Sequence, residues 1–435
     1  MENYLNYLTK YNPNIEKIFS KSLKHTLNVL YKVSLEKDTK VYLVGGIVRD
    51  IFLGRNSADI DIVIEGNSQE FAKYILPEVA VSKHRYTERF LTYNIFTKTG
   101  TNIDIASFRS EVYEYPGALP VVTPTSIEKD FIRRDFSINA MYISFDKRAE
   151  LYDPLNALSD IKNKVIRIIH DKSFEDDPTR IFRAVKFAAR YNFSFEENTK
   201  NLLLEAMEKN YLSFISNLRI KNEIYMLLSE KNLIGILTLL RDYKVFLFLG
   251  IPSPSDKDIE DINDIVKKYT FKKMKEEHKI SKGNFILMYL IRNLLPSEKK
   301  EALKVFEMSE KNLSSIIFEE GEEEKITENL KEAYKPSHIY SALNKLSPFK
   351  ILYLLYIVRK NRKKIKSYIF DLNNKNAIIS GSDLIDVGFK KDVSLKKYIE
   401  KCFFIQLDMK NPAKEKILSE LVKELNKNGK YSKKK

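Results

Sequence analysis

The chain has 435 residues, 43% of them hydrophobic, which is enough to bury a large core in two to four domains. Lys and Arg number 74 against 59 Asp and Glu, a net +15 that is unevenly spread: residues 1–150 carry +1, 151–330 carry −1 and 331–435 carry +15. That distribution puts a polyanion-binding end at the C-terminus of an otherwise neutral protein. One cysteine, Cys402, excludes a disulfide framework and a cysteine zinc site, and the five histidines form no H-x-x-x-H pair. The longest apolar runs are about eight residues, such as Ile351 to Val358, too short to span a bilayer. Met1-Glu2-Asn3-Tyr4 does not start a signal peptide, so a reducing, cytoplasmic setting without membrane is expected.

The first third alternates strand and helix signals. Val41 to Val44 is a short apolar run that meets Gly45-Gly46, a buried strand entering a tight turn. Ile47 to Leu53 suits a short helix, and Asp61 to Ile64 a second strand. Phe90 to Thr97 and Ile103 to Ala106 flank Lys98 to Asn102, a hairpin signal with glycine in its loop. Met141 to Phe145 reads as another strand. From about Ser173 apolar residues recur at helical spacing (Ile181, Val185, Ala188, Ala189), and strand signals become rare. Breaks fall near Pro252-Ser253-Pro254, Pro296, Pro336 and Gly381.

The strongest constellation is Gly45-Gly46-Ile47-Val48-Arg49-Asp50, then Leu53-Gly54, then Asp59-Ile60-Asp61. An Asp-x-Asp at the start of a strand points both carboxylates to one side. Two carboxylates so placed suit a hard divalent cation, a glycine pair lets backbone amides approach phosphate, and Arg49 can supply charge to a triphosphate. Together they suit metal-assisted phosphoryl or nucleotidyl transfer.

Val44 to Asp50 with Asp59-Ile60-Asp61 resembles the first motif of the class II tRNA nucleotidyltransferases, the CCA-adding enzymes, and of bacterial poly(A) polymerases. Arg133-Arg134-Asp135-Phe136-Ser137-Ile138-Asn139-Ala140-Met141 resembles a second family element. Asp153-Pro154 with Asp160-Ile161 resembles a third, and Asp176 to Ala184 a fourth. The resemblance implies an α/β head of the polymerase-β-like nucleotidyltransferase fold followed by an all-α neck, body and tail. The expected parts are a catalytic head over 1–150, a neck with a base-reading helix over 151–230, a body over 231–340 and a basic, tRNA-binding tail over 341–435.

The resemblance also implies roles. Asp59 and Asp61 would bind Mg²⁺, with Asp104 a third carboxylate; the alternative for Asp104 is a solvated strand-end aspartate. Gly45, Gly46 and Arg49 would contact the nucleotide, and Arg134, Asp135 and Asn139 its ribose. The alternative for the arginines is an ion pair with Asp130 or Asp135. Asp177 and Arg180 stand at i and i+3 on one side of a helix and would read cytosine and adenine together. A carboxylate accepts from the exocyclic amine and arginine donates to the ring nitrogen beside it, whereas guanine and uracil present the inverse pattern. The alternative is a helix cap by Asp177, Pro178 at the first helical position, and an Asp177–Arg180 pair. Arg183 is a candidate phosphate contact.

Some positions depart from the family pattern. Asp176-Asp177 replaces Glu-Asp, and Asn156-Ala157 replaces a Gly-Gly pair. Glu111 to Pro120 falls where the family places a mobile loop, and His170-Asp171 is a lone doublet expected in a loop. Ile379 to Gly388 is similar to a tail segment of CCA-adding enzymes, amid basic clusters (Arg359-Lys360, Arg362-Lys363-Lys364, Lys396-Lys397, Lys433-Lys434-Lys435) interleaved with Tyr353, Tyr356, Tyr368 and Phe389. The expected activity is template-independent addition of C, A or both to a tRNA 3′ end from CTP and ATP, with release of pyrophosphate. CC-only or A-only addition, poly(A) synthesis and an inactive RNA-binding protein are the alternatives, and no protein partner is expected.

Overall fold

A computed structural model describes residues 3–57, 59–268 and 281–427; the expected Lys433-Lys434-Lys435 cluster lies outside them. The chain divides into two compact units, Met1–Ile259 and Glu260–Lys435.

After two short helices, Tyr4–Leu8 and Ile15–Ile18, unit one has the long helix α1 (Lys21–Glu36), capped by the Ser20 side chain on the Leu23 N–H. There follow β1 (Val41–Val44), α2 (Gly46–Leu53), β2 (Asp59–Ile64), α3 (Ser68–Ile75), β3 (Val81–Thr87), β4 (Thr92–Thr97) and β5 (Asn102–Ser107). A hairpin of β6 (Arg109–Val112) and β7 (Val121–Pro124) precedes β8 (Tyr142–Ser144) and β9 (Leu151–Tyr152). The main sheet runs β3-β4-β5-β2-β1-β8-β9, with only β2 and β5 parallel. Ile60, Ile62 and Ile64 of β2, in register with Ile103 and Ile105 of β5, bury one face. Each such side chain contributes about 1.5–3 kcal/mol of burial. The alternate residues Asp59, Asp61 and Asp104 therefore share the opposite face. The expected strands at 41–44, 61–64, 90–97, 103–106 and 141–145 all correspond to observed strands, though 88–90 forms a short 3₁₀ turn before β4. Strand β3 and the β6–β7 hairpin escaped the sequence. Their residues are largely polar or half-exposed, so they lack an apolar run.

The rest of unit one is mainly helical: α4 (Ala157–Asn163), α5 (Thr179–Tyr191) and α6 (Asn217–Ser229) carry the residues that matter below. Asn156, where the family has glycine, takes the left-handed conformation at φ +54, which asparagine tolerates better than other side chains do. Ala157 is fully buried.

Unit two is helical. Its C-terminal part packs Ile379, Leu384, Phe389, Cys402, Ile405, Ile417, Leu421 and Leu425 into one core. Burial pushes the Cys402 thiol up to about 11, so it is a packing residue. The G-x-D-L segment is helix Gly381–Asp386, where Ser380 and Asp383 form a capping box and Asp383 pairs with Lys414. The interleaved aromatics are mostly structural: Tyr353, Tyr368 and Phe389 are buried. Lys364 is also structural, donating to the Leu330 and Lys331 carbonyls. Lys390, Lys391, Lys396 and Lys397 are exposed. Among the described residues no helix is long and apolar enough to cross a membrane.

Candidate active site

Gly45 lies between β1 and α2 with φ +68, and a Cβ there would stand 3.0 Å from Asp61 Oδ2. Only glycine fits both constraints. The Gly46 N–H donates to the same oxygen over 3.4 Å, tying the turn to β2. Across the parallel pair, Asp61 is opposite Asp104 and Asp59 opposite Asn102. Asn102 donates to Asp59 over 2.8 Å, and Asn94 to Asp104 over 2.6 Å. Burial, then the Asp104 charge, push Asp61 up to about 6, and burial also raises Asp104. Asp104 is a mid-strand, half-buried residue and not the solvated strand end considered from the sequence. Among the described residues no three His, Cys, Asp or Glu side chains converge into a closed metal cage. Two open carboxylates, Asp59 and Asp61, nevertheless suit Mg²⁺, which keeps water and substrate oxygens as its other ligands.

The next layer is a network of committed ions. Asp130 is fully buried between Arg133 (2.9 Å) and Arg134 (3.0 Å). Burial alone would raise its carboxyl, but the two guanidinium groups hold it at about 2. The arginine pair thus makes the Asp130 contacts anticipated as the alternative to ribose binding, buried instead of on the surface. Arg183 pairs with Asp135, whose other oxygen accepts from the Asn139 amide over 3.0 Å. Burial opposes the Asp135 charge, yet Arg183 and Asn139 keep its pKa low. Arg49 donates to Asp50 and Asn139, with its guanidinium 5.2 Å from the Phe187 ring and 4.8 Å from that of Tyr191. Arg49 and Arg183, candidate phosphate contacts, therefore already hold protein partners.

Asp177 precedes α5 and is not on its face, which corrects the i, i+3 reading. Its Oδ1 accepts from the Thr179 N–H (3.2 Å) and hydroxyl (2.7 Å), so it does cap the helix start. It does not pair with Arg180. Arg180 donates to the Ser173 hydroxyl over 2.7 Å and the Arg133 carbonyl over 2.7 Å. The partner of Asp177 is Arg219 of α6, 2.8 Å away, which also donates to the Gly117 carbonyl over 2.9 Å. The stretch expected as a mobile loop is therefore tied to α6 at Gly117. His170 lies 3.8 Å from Asp176 and is not joined to Asp171.

These groups meet in one cavity of about 580 Å³. Gly45, Gly46, Arg49, Asp61, Arg134, Asp135, Asn139, Asp177, Arg180 and Arg183 line it, while Asp59 and Asp104 do not. Arg109, Glu111, Tyr113, Arg133, Thr179, Lys186, Phe187, Arg190 and Glu223 complete the wall and were not singled out as site residues. For Lys186 and Arg190 a signal existed: with Arg183 they recur at i, i+3 and i+7 on one helix. The wall carries eight basic and five acidic side chains. The near-neutral first 330 residues thus concentrate positive charge where the sequence showed only an average.

Residues 41–167, within unit one, match the Poly A polymerase head domain. An A-adding tRNA nucleotidyltransferase of Aquifex aeolicus (strain VF5) is 35% identical over 336 residues, 76% of this chain and 40% of the relative. The chain thus spans less than half of that curated relative. A CCA-adding enzyme in an apo form superimposes with a TM-score of 0.79 at 29% identity, covering 98% of this chain and 99% of the other. The Thermotoga maritima CCA-adding enzyme complexed with tRNA gives 0.75 at 28%, covering 98% and 99%. The chain is thus similar over nearly its whole length to CCA-adding enzymes and carries a Poly A polymerase head domain in its first unit.

Proposed function

We propose that this protein adds C, A or both to the 3′ end of tRNA from CTP and ATP, without a nucleic-acid template. The observation that supports it most is that one basic cavity joins the Asp61 carboxylate and Gly45-Gly46 turn to Asp177 and Arg180. The RNA 3′-oxygen attacks the α-phosphorus, the bond from that phosphorus to the bridging oxygen breaks, and pyrophosphate leaves with the electron pair. Asp59 and Asp61 would hold Mg²⁺ beside Asp104. Bound there, the cation would supply charge for the leaving group and acidify the attacking hydroxyl.

The chain's own residues do the selecting. Asp177 Oδ1 is saturated by Thr179 and Arg219, which leaves Oδ2 to accept from an exocyclic amine. Arg180 uses part of its five-donor fork on Ser173 and Arg133, which fixes its plane and leaves N–H groups for a ring nitrogen. Asp135 and Asn139 offer acceptors to a ribose hydroxyl. The exposed lysines of unit two would hold the RNA backbone without reading its sequence. A-only addition is the second reading, favoured by the A-adding Aquifex relative.

Labelled CTP and ATP offered with tRNAs shortened by one, two and three 3′ nucleotides test the proposal. Incorporation restricted to C and A is expected. No incorporation by wild type, or full activity in Asp59→Asn/Asp61→Asn, overturns it.

A further inference from the structure

Most ions on the cavity wall are committed to the protein. Arg183 is paired with Asp135, Arg190 with Glu230, Asp177 with Arg219, and Arg133 and Arg134 with Asp130. Among the described residues, Lys186 of α5 and Glu223 of α6 make neither a hydrogen bond nor an ion pair, although both are half-buried and line the cavity. Each senses the charge of the other without touching it. Burial, then the neighbouring Arg190 and Arg183, disfavour the Lys186 cation, and burial disfavours the Glu223 anion. Two half-buried ions on one cavity wall, not closed into a pair, present a donor and an acceptor to whatever enters the cavity.

A ligand that satisfies both must carry an anionic oxygen for Lys186 and a hydroxyl donor for Glu223. A ribonucleotide with a phosphate on its 5′ side and a free 2′-hydroxyl has both. We propose that Lys186 and Glu223 form the subsite for the 3′-terminal ribonucleotide of the RNA acceptor, Lys186 on its phosphodiester and Glu223 on its 2′-hydroxyl. The inference rests on the nucleotidyltransferase reading and assigns the second substrate to a wall made by two helices outside the head sheet. The incoming triphosphate is the other source of phosphate oxygens. It is the less favoured one, because the proposed function assigns the triphosphate to Asp61 and the Gly45-Gly46 turn.

The test is steady-state kinetics on the full chain, with KM for RNA and KM for nucleoside triphosphate measured separately. Lys186→Met is expected to raise KM for RNA on the order of tenfold with KM for the triphosphate unchanged. It should also lower the slope of log affinity for RNA against log salt by about 0.7, one single-strand phosphate contact. Lys186→Arg should restore both. RNA ending in a 2′-deoxyribonucleotide should be a poorer acceptor for wild type but not further impaired in Glu223→Ala, since the two changes remove the same bond. A rise in KM for the triphosphate alone, unchanged KM values and salt slope in Lys186→Met, or full additivity of Glu223→Ala with the 2′-deoxy acceptor would overturn the subsite. Wild type that incorporates no nucleotide fails the functional proposal itself, so the two failures are distinguishable.

Discussion

Arg219 on α6 lies 2.8 Å from Asp177, the carboxylate proposed to read the base, and 2.9 Å from the Gly117 carbonyl of the β6–β7 connection. A Cβ at Gly117 would stand 3.2 Å from the Phe214 carbonyl, so that connection packs directly on the segment leading into α6. One guanidinium thus holds both the Asp177 carboxylate and the neighbouring loop.

Removing that guanidinium frees the carboxylate to rotate while its cap to Thr179 remains. Arg219→Ala is expected to lower discrimination against GTP and UTP by about tenfold, the size of one charge-assisted hydrogen bond. Misincorporation with each nucleotide offered singly would measure it. Unaltered selectivity would show that Thr179 alone orients Asp177.

The raised pKa of Asp61 makes a signed prediction. The group ordinarily titrates at 3.8, and burial with Asp104 moves it to about 6 in the folded chain. The charged form therefore costs stability above about pH 6, a cost relieved as pH falls through that value. Activity runs the other way, because only the carboxylate binds a cation: kcat/KM should fall about tenfold per unit below pH 6. Raising Mg²⁺ should move this limb to lower pH, since cation and proton compete for one group. A limb that ignores Mg²⁺ would assign the titration elsewhere.

Asp130 has the opposite sign. Held at about 2 by Arg134 and Arg133 against its burial, it contributes stability that is present above its ordinary 3.8 and lost as pH falls through about 2. Asp130→Asn leaves the Arg134 guanidinium without its anion and Arg133 with Glu111 alone, and should cost about 3–5 kcal/mol. A lower urea midpoint with unchanged slope would register it.

The exposed lysines of unit two offer a direct test of RNA grip. Replacing Lys390, Lys391, Lys396 and Lys397 by Glu should weaken tRNA binding and flatten its salt dependence, leaving thermal unfolding nearly unchanged. An unchanged salt slope would mark these side chains as solvent-facing only.

Much of unit one could be read without a structure because its signals are local. Val41 to Val44 followed by Gly45-Gly46 is a strand and turn by burial and backbone freedom alone, and alternation along Asp59-Ile60-Asp61 fixes which side chains share a face. Partnership is not local. That Asp61 meets Asp104 follows from a parallel pairing across 43 residues. That Asp177 turns to Arg219 and away from Arg180, three residues on, depends on α6 folding back against α5. The net charge carried the same ambiguity: counting residues located the excess at the C-terminal end, whereas the fold gathered eight basic side chains from a neutral stretch around one cavity. The sequence alone determined the chemical types and their local spacing, since covalent geometry links them. Only tertiary structure decided which charges neutralise one another and which, like Lys186 and Glu223, stay open to a substrate, because that depends on distances between segments the chain does not set until it folds.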